Sequence, residues 1–211
     1  MKRRRGLFLV LEGLDGAGTT TQAQQLATWL KARGRRIHLT AEPSRGPIGT
    51  QVRHVLSGRV RGARGRDFDP RSLALLFAAD RLDHWESEID PRLEEGCDVI
   101  SDRYVLSSLA YQAVSTGDAP WVAAINSMAP AADLTVFLRV APAVALRRRY
   151  AAGSEREIFE FPDFQRKVHR AYVRALAGMV DAGERVVEVR GEGTIEAIGN
   201  AVTRAVEPLL P

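Results

Sequence analysis

Residues 13–22 read GLDGAGTTTQ and follow directly on the apolar run Leu7–Leu11, LFLVL. The pattern G-x-x-x-x-G-K-[ST] between a strand and a helix cradles phosphate. Gly13 and Gly18 hold its glycine places, Leu14, Asp15, Gly16 and Ala17 lie between them, and Thr20 holds the hydroxyl place. The place for lysine is taken by Thr19. Glycines permit positive φ and let backbone amides approach an anion with no Cβ in the way. The helix that follows, over about residues 18–32, adds unpaired N–H groups and its dipole. In such a loop Thr20 places a hydroxyl on magnesium, while lysine carries a mobile positive charge to the β- and γ-phosphates. Threonine offers a short, neutral hydroxyl instead. The stretch reads as a phosphate site with one charge missing. The competing reading is a glycine-rich corner without a ligand, which the strand and helix on either side disfavour.

At 211 residues, 45% hydrophobic and 27% charged, the chain suits one α/β domain spanning 1–211. Net charge is +4, with 27 Arg against three Lys. Biased codon use explains the arginines better than a nucleic-acid surface does, because no aromatic residues interleave with the basic ones to stack bases. Arg59–Arg66, RVRGARGR, reads as a solvated loop. No nucleic-acid or membrane partner is expected. Cys97 is the single cysteine and fits a reducing cytoplasm, the expected location. The start MKRRR and the apolar run after it resemble a leader, but the run is too short for a signal peptide.

Short apolar runs alternate with helical patterns along the rest of the chain. Strands are predicted at Leu7–Leu11, Ile37–Thr40, Asp98–Ser101, Leu134–Leu138 and Val186–Val189. Between them fall helices over about 18–32, 47–56, 70–86, 105–116, 119–128, 142–150, 161–181 and 195–209. This is the pattern of a five-stranded parallel sheet with helices on both faces. Ligands in such sheets sit beyond the carboxyl ends of the strands, where the remaining chemical residues cluster.

After the second strand, Arg45 lies in the irregular loop EPSRGPIG, either over the site to bind a phosphate or simply solvated. The third strand ends in Asp102-Arg103. Asp102 is a candidate to organise the metal, or to cap the next helix, and Arg103 a candidate for a phosphate. Phe77 and Arg81 share a helix face, which would stack a base and bond its edge. The alternative makes Phe77 core and pairs Arg81 with a carboxylate. Arg147, Arg148 and Arg149 lead into a small-residue stretch carrying Arg156. This stretch reads as a short lid over about 147–160, or as a solvated helix end.

FLVLEGLDGAG, EPSRGPIG, LLFAADR and DRYVLSSLAYQ, in this order and spacing, resemble the thymidylate kinases. ADLTVFLRV is similar to that family's next strand, and the resemblance runs over nearly the whole chain. It implies the P-loop nucleoside-monophosphate kinase fold, a cytoplasmic homodimer, and transfer of phosphoryl from ATP to dTMP with Mg²⁺, giving dTDP. Carried over by motif, Gly13 to Thr20 hold the ATP phosphates. Asp15 bonds the dTMP 3′-hydroxyl and helps Thr20 and Asp102 with the metal. Arg45 and Arg103 grip the acceptor phosphate, Phe77 stacks on thymine and Arg81 bonds its edge. Ser108 and Gln112 lie near base or sugar, and Tyr111 crowds the 2′ position.

Thr19 departs from that pattern. Either the chain remains a dTMP kinase and Arg148, Arg149 or Arg156 replaces the charge, or it is a nucleotide-binding paralogue with weak or no activity. A third possibility is a kinase for another nucleoside monophosphate.

Overall fold

A computed structural model describes residues 5–151 and 162–210. Strands β1 (Phe8–Gly13), β2 (Ile37–Ala41), β3 (Asp98–Asp102), β4 (Leu134–Arg139) and β5 (Val186–Arg190) form one parallel sheet in the order β2-β3-β1-β4-β5. Each predicted strand is present, and each runs one or two residues further at its carboxyl end. Those extra residues, Gly13 and Asp102 among them, carry the site. All of β1 is buried, whereas the edge strands β2 and β5 are partly exposed. This is why β1 reads as a continuous apolar run, as in sheets covered on both faces.

The helices described are α1 (Thr19–Lys31), α2 (Pro47–Leu56), α3 (Pro70–His84), α4 (Asp90–Glu94), α5 (Val105–Thr116), α6 (Ala119–Asn126), α7 (Pro142–Ala151), α8 (Pro162–Asp181) and α9 (Ile195–Val206). Pro47, Pro70 and Pro142 each open a helix, where their missing N–H costs no bond. The β1 side chains alternate between two cores. Leu9 and Leu11 pack with Leu26 and Leu30 of α1 and Val202 of α9. Phe8 and Val10 pack with Trp85, Leu93 and Tyr104.

One helix runs on where the sequence predicts a stop. The pattern ends at residue 86, but the backbone widens into a π turn over Trp85–Ile89 and continues as α4. The Asp90 N–H bonds Trp85 O, five residues back. Pro91 has no N–H, and its ring would collide with the carbonyl four residues earlier in a regular helix. The wide turn absorbs it. The helix expected to reach Met128 ends at Asn126.

Candidate active site

β1 delivers the phosphate loop to the carboxyl edge of the sheet. Gly16 and Gly18 adopt φ of 86° and 95°, the left-handed region. A Cβ on Gly16 would also lie 2.2 Å from Ala145 O, so the loop is seated directly against α7. Among the described residues, the amides of Gly16, Gly18, Thr19 and Thr20 have no hydrogen-bond acceptor. They stand open at the start of α1, as an anion site requires. Thr19 is 6% exposed.

The Thr20 hydroxyl donates to Asp102 Oδ2. Asp102 Oδ1 is buried and without a partner among the described residues. An orphaned carboxylate oxygen beside a hydroxyl, both hard donors, fits Mg²⁺, which takes one or two carboxylates plus phosphate oxygens.

Asp15 is the hub of the loop. Its Oδ1 accepts from Arg103 Nη2 at 2.6 Å, and Arg149 Nη1 lies 3.5 Å from the same oxygen. Tyr111 OH donates to Asp15 Oδ2 at 2.9 Å and accepts from the Asp15 N–H at 3.1 Å. Burial, then the Asp15 carboxylate, pushes the Tyr111 phenol well up, so it stays a neutral donor. Arg103 itself adopts φ of 76°. Its Nη1 donates to Gly13 O at 3.1 Å, Ser107 Oγ at 3.0 Å and Tyr172 OH at 3.3 Å. Burial works against its charge, but Asp15, with Tyr111, Tyr172 and Asp102, holds the guanidinium well above its ordinary pKa.

Glu12 lies beneath this cluster on the same β1 face as Phe8 and Val10. Its Oε1 accepts from the Tyr104 and Ser107 amides at 2.8 and 3.0 Å, which caps α5 from a neighbouring strand. Its Oε2 accepts from Ser107 Oγ at 2.6 Å and Tyr172 OH at 3.3 Å. Complete burial outweighs these donors and Arg103, and raises the carboxyl from 4.5 to about 7. The folded state thus holds a proton that the unfolded chain releases above pH 4.5. This contribution is complete below pH 4.5 and is lost as pH rises through about 7. It amounts to about 3 kcal/mol. Urea midpoints at pH 5 and pH 8 will fall further for the parent than for Glu12→Gln, which does not titrate. Parallel midpoints would contradict the assignment.

A recess of about 260 Å³ opens against Asp15, lined by Phe77, Arg81, Ser108, Tyr111 and Gln112, and also by Arg53, Arg103 and Arg149. A larger groove, about 870 Å³, lies between α5, α6 and α8. It contains none of the phosphate-loop residues, so the smaller recess is the candidate site. Phe77 is half-buried on its wall. Arg81 is fully buried and ion-paired to Glu42 at 2.7 Å. Ser108 accepts from Arg81 at 3.1 Å, and Gln112 is buried at the wall.

Arg45 is exposed and does not line the recess. Arg53, which the sequence reading passed over, does. It is anchored by Pro43 O at 3.0 Å, by Ser44 O and by Thr50 Oγ1 at 2.9 Å. The loop bends back through a cis Glu42–Pro43 bond and sets these carbonyls against α2. No spacing in the sequence marks that approach. Arg148 turns the other way and donates to Gly191 O at 2.8 Å, beyond β5. Arg147 is exposed, and Arg156 lies outside the described residues.

A parallel 2-3-1-4-5 sheet with a phosphate loop after β1 and an acid ending β3 defines a P-loop protein of the nucleoside-monophosphate kinase fold. The family model for thymidylate kinase matches residues 11–201, and the chain belongs to that family. It is 38% identical over 190 residues to a probable thymidylate kinase of Pyrobaculum aerophilum, covering 88% of this chain and 93% of that one. It is 41% identical over 170 residues to one of Pyrococcus horikoshii, covering 81% and 82%. It is 35% identical over 206 residues to one of Thermococcus kodakarensis, covering 97% and 98%. Among the described residues no helix is long and apolar enough to cross a membrane.

Proposed function

We propose that this protein transfers the γ-phosphoryl of ATP to dTMP, giving dTDP and ADP, as a cytoplasmic enzyme of dTTP synthesis. The observation that carries this reading is the recess: Asp15 belongs at once to the phosphate loop and to the acceptor pocket. The open amides of Gly16, Gly18, Thr19 and Thr20 take the ATP phosphates. Thr20 and Asp102, with Asp15 beside them, would hold Mg²⁺, which when bound neutralises the phosphate charge. Arg103 and Arg53 take the acceptor phosphate, and Arg45, exposed outside the recess, would reach in to join them. Phe77 offers its ring to the base. Arg81, Ser108 and Gln112 meet the base or sugar, while Asp15 and Tyr111 close on the deoxyribose.

Phosphoryl transfer is mostly positioning and electrostatics, so the positive charge absent at Thr19 has to come from elsewhere. Here it comes from the arginines of α7 and the segment after it: Arg148, Arg149 or Arg156. The chain works as one domain whose lid covers about 147–160. The exposed α3 residues Leu75 and Leu82 share a face and support a homodimer, which light scattering would overturn by reading a monomer mass.

A coupled assay with ATP, Mg²⁺ and dTMP tests the reaction. Kinases of this kind run at roughly 1–100 s⁻¹. Turnover below about 10⁻² s⁻¹ would favour the weak nucleotide-binding paralogue by that same comparison. Preference for dGMP or AMP over dTMP would sink the acceptor assignment.

A further inference from the structure

We propose that Arg149 is the residue that stands in for the missing loop lysine, with its guanidinium moving from Asp15 onto the β- and γ-phosphates of ATP. The inference rests on the dTMP kinase reading and assigns one residue within it. Its first support is the seating of α7. The Gly16 Cβ position lies 2.2 Å from Ala145 O and 3.4 Å from Arg149 N, so the α7 backbone touches the phosphate loop where Arg149 begins. The second is the guanidinium. Its Nη1 is 3.5 Å from Asp15 Oδ1, four residues before Thr19 in the same loop, and its side chain is 14% exposed.

The third support is how the neighbouring charges are used. Arg148 is held by Gly191 O. Arg103 is bound to Gly13 O and Ser107 as well as to Asp15, which keeps it on the acceptor side. Arg149 meets Asp15 at an ion-pair distance, longer than the 2.6 Å bond from Arg103. A phosphate arriving at the loop competes for it directly. Thr19 is buried and neutral, so it brings no charge of its own to the place.

In the transfer, an oxygen of the dTMP phosphate forms a bond to Pγ as the bond from Pγ to the ADP oxygen breaks. Arg149 keeps its proton and acts by charge alone, as the lysine does in other phosphate loops.

The test is a four-protein cycle: the parent, Arg149→Met, Thr19→Lys and the double variant, assayed with saturating ATP, Mg²⁺ and dTMP. Arg149→Met should lower kcat by about 10²–10³-fold, the loss seen when one transition-state donor is removed. Lysine at position 19 should raise the Arg149→Met protein far more than it raises the parent, the non-additivity expected of groups sharing one role. A loss under about threefold in Arg149→Met, far from the range for a lost donor, overturns the proposal. So does a loss that lysine at 19 fails to rescue, because a merely structural arginine would not be replaced from the loop. An inactive parent sinks the kinase reading instead. In that event, binding of a non-hydrolysable ATP analogue with Mg²⁺, measured calorimetrically, reads the same cycle. Arg149→Met must weaken it and lysine at 19 restore it, or the proposal fails.

Discussion

Arg103→Ala is expected to lower kcat/KM for dTMP by about 10³-fold, in the range of an arginine that stabilises transferring phosphoryl charge. The side chain performs two tasks at once. It lines the recess, where on the proposed reading its charge would meet the acceptor phosphate. It also holds Asp15 Oδ1 at 2.6 Å and Gly13 O at 3.1 Å, so it fixes the loop that receives ATP. Losing it removes binding energy on the acceptor side and order on the donor side. A second readout separates charge from shape. The Arg103 charge is the largest influence opposing the burial that raises Glu12, so its removal leaves Glu12 protonated to higher pH. The pH-dependent fall in stability assigned to Glu12 then moves upward in Arg103→Ala. Arg103→Lys keeps the charge and should keep the Glu12 behaviour. It should not restore kcat/KM, because an ammonium has no planar fork to span Asp15 and Gly13 together. A variant within tenfold of the parent would contradict the role given to Arg103, since one lost transition-state donor alone costs about 10²–10³.

The sheet was legible because its signal is local. β1 and β4 are buried along most of their length and are mostly apolar, β3 carries the apolar pair Val99-Ile100, and the prolines that open α2, α3 and α7 are readable as punctuation. The π turn was not, because a proline inside a helical pattern reads as a stop. Trp85, Ile89 and Leu93 of the continued helix pack into the second core, a tertiary contact that the local pattern does not show. At the site, Asp15, Arg103 and Tyr111 belong to recognisable motifs, and the structure brings them together. Glu12 carried a visible signal, an acid ending an otherwise apolar buried strand. Its partners at Tyr104, Ser107 and Tyr172 lie 92 to 160 residues away, and nothing local announces them. Arg53 and Arg149 depend on how a loop and a helix approach the sheet edge, a tertiary fact that spacing does not encode. Of the arginine bank after β4, sequence gives the charge and geometry sorts the members. One turns to Gly191, one to Asp15.

Arg81→Met is expected to cost about 3–5 kcal/mol of stability, the penalty for leaving a buried charge without its partner. Arg81 is 1% exposed. Its Nε and Nη2 reach Glu42 Oε2 at 3.0 and 2.7 Å. Nη2 also reaches Tyr104 O at 3.2 Å and Ser108 Oγ at 3.1 Å, and Nη1 donates to Asn126 Oδ1. One side chain therefore ties α3 to the β2 loop, to α5 and to α6. Methionine fills much of the volume, so the loss is chiefly electrostatic. Among the described residues, the carboxylate of Glu42, itself 5% exposed, would keep His84 Nδ1 at 3.4 Å as its partner. Removing that carboxylate should return part of the loss. The double variant Arg81→Met with Glu42→Gln is expected to be more stable than Arg81→Met alone by about 1–2 kcal/mol, a coupling of the size found between contacting groups. Urea unfolding of the four proteins reads the cycle. If Arg81→Met loses under about 1 kcal/mol, the range of an exposed pair, Glu42 is not the buried charge this packing makes it. Activity adds a second constraint. Arg81 also lines the recess, so on the proposed reading it would join the stability of the α3–α5–α6 junction to recognition of the acceptor base. Glu42→Gln alone keeps Arg81 in place and removes only its counter-charge. It should therefore alter KM for dTMP more than kcat, which would separate the base-facing role from the structural one.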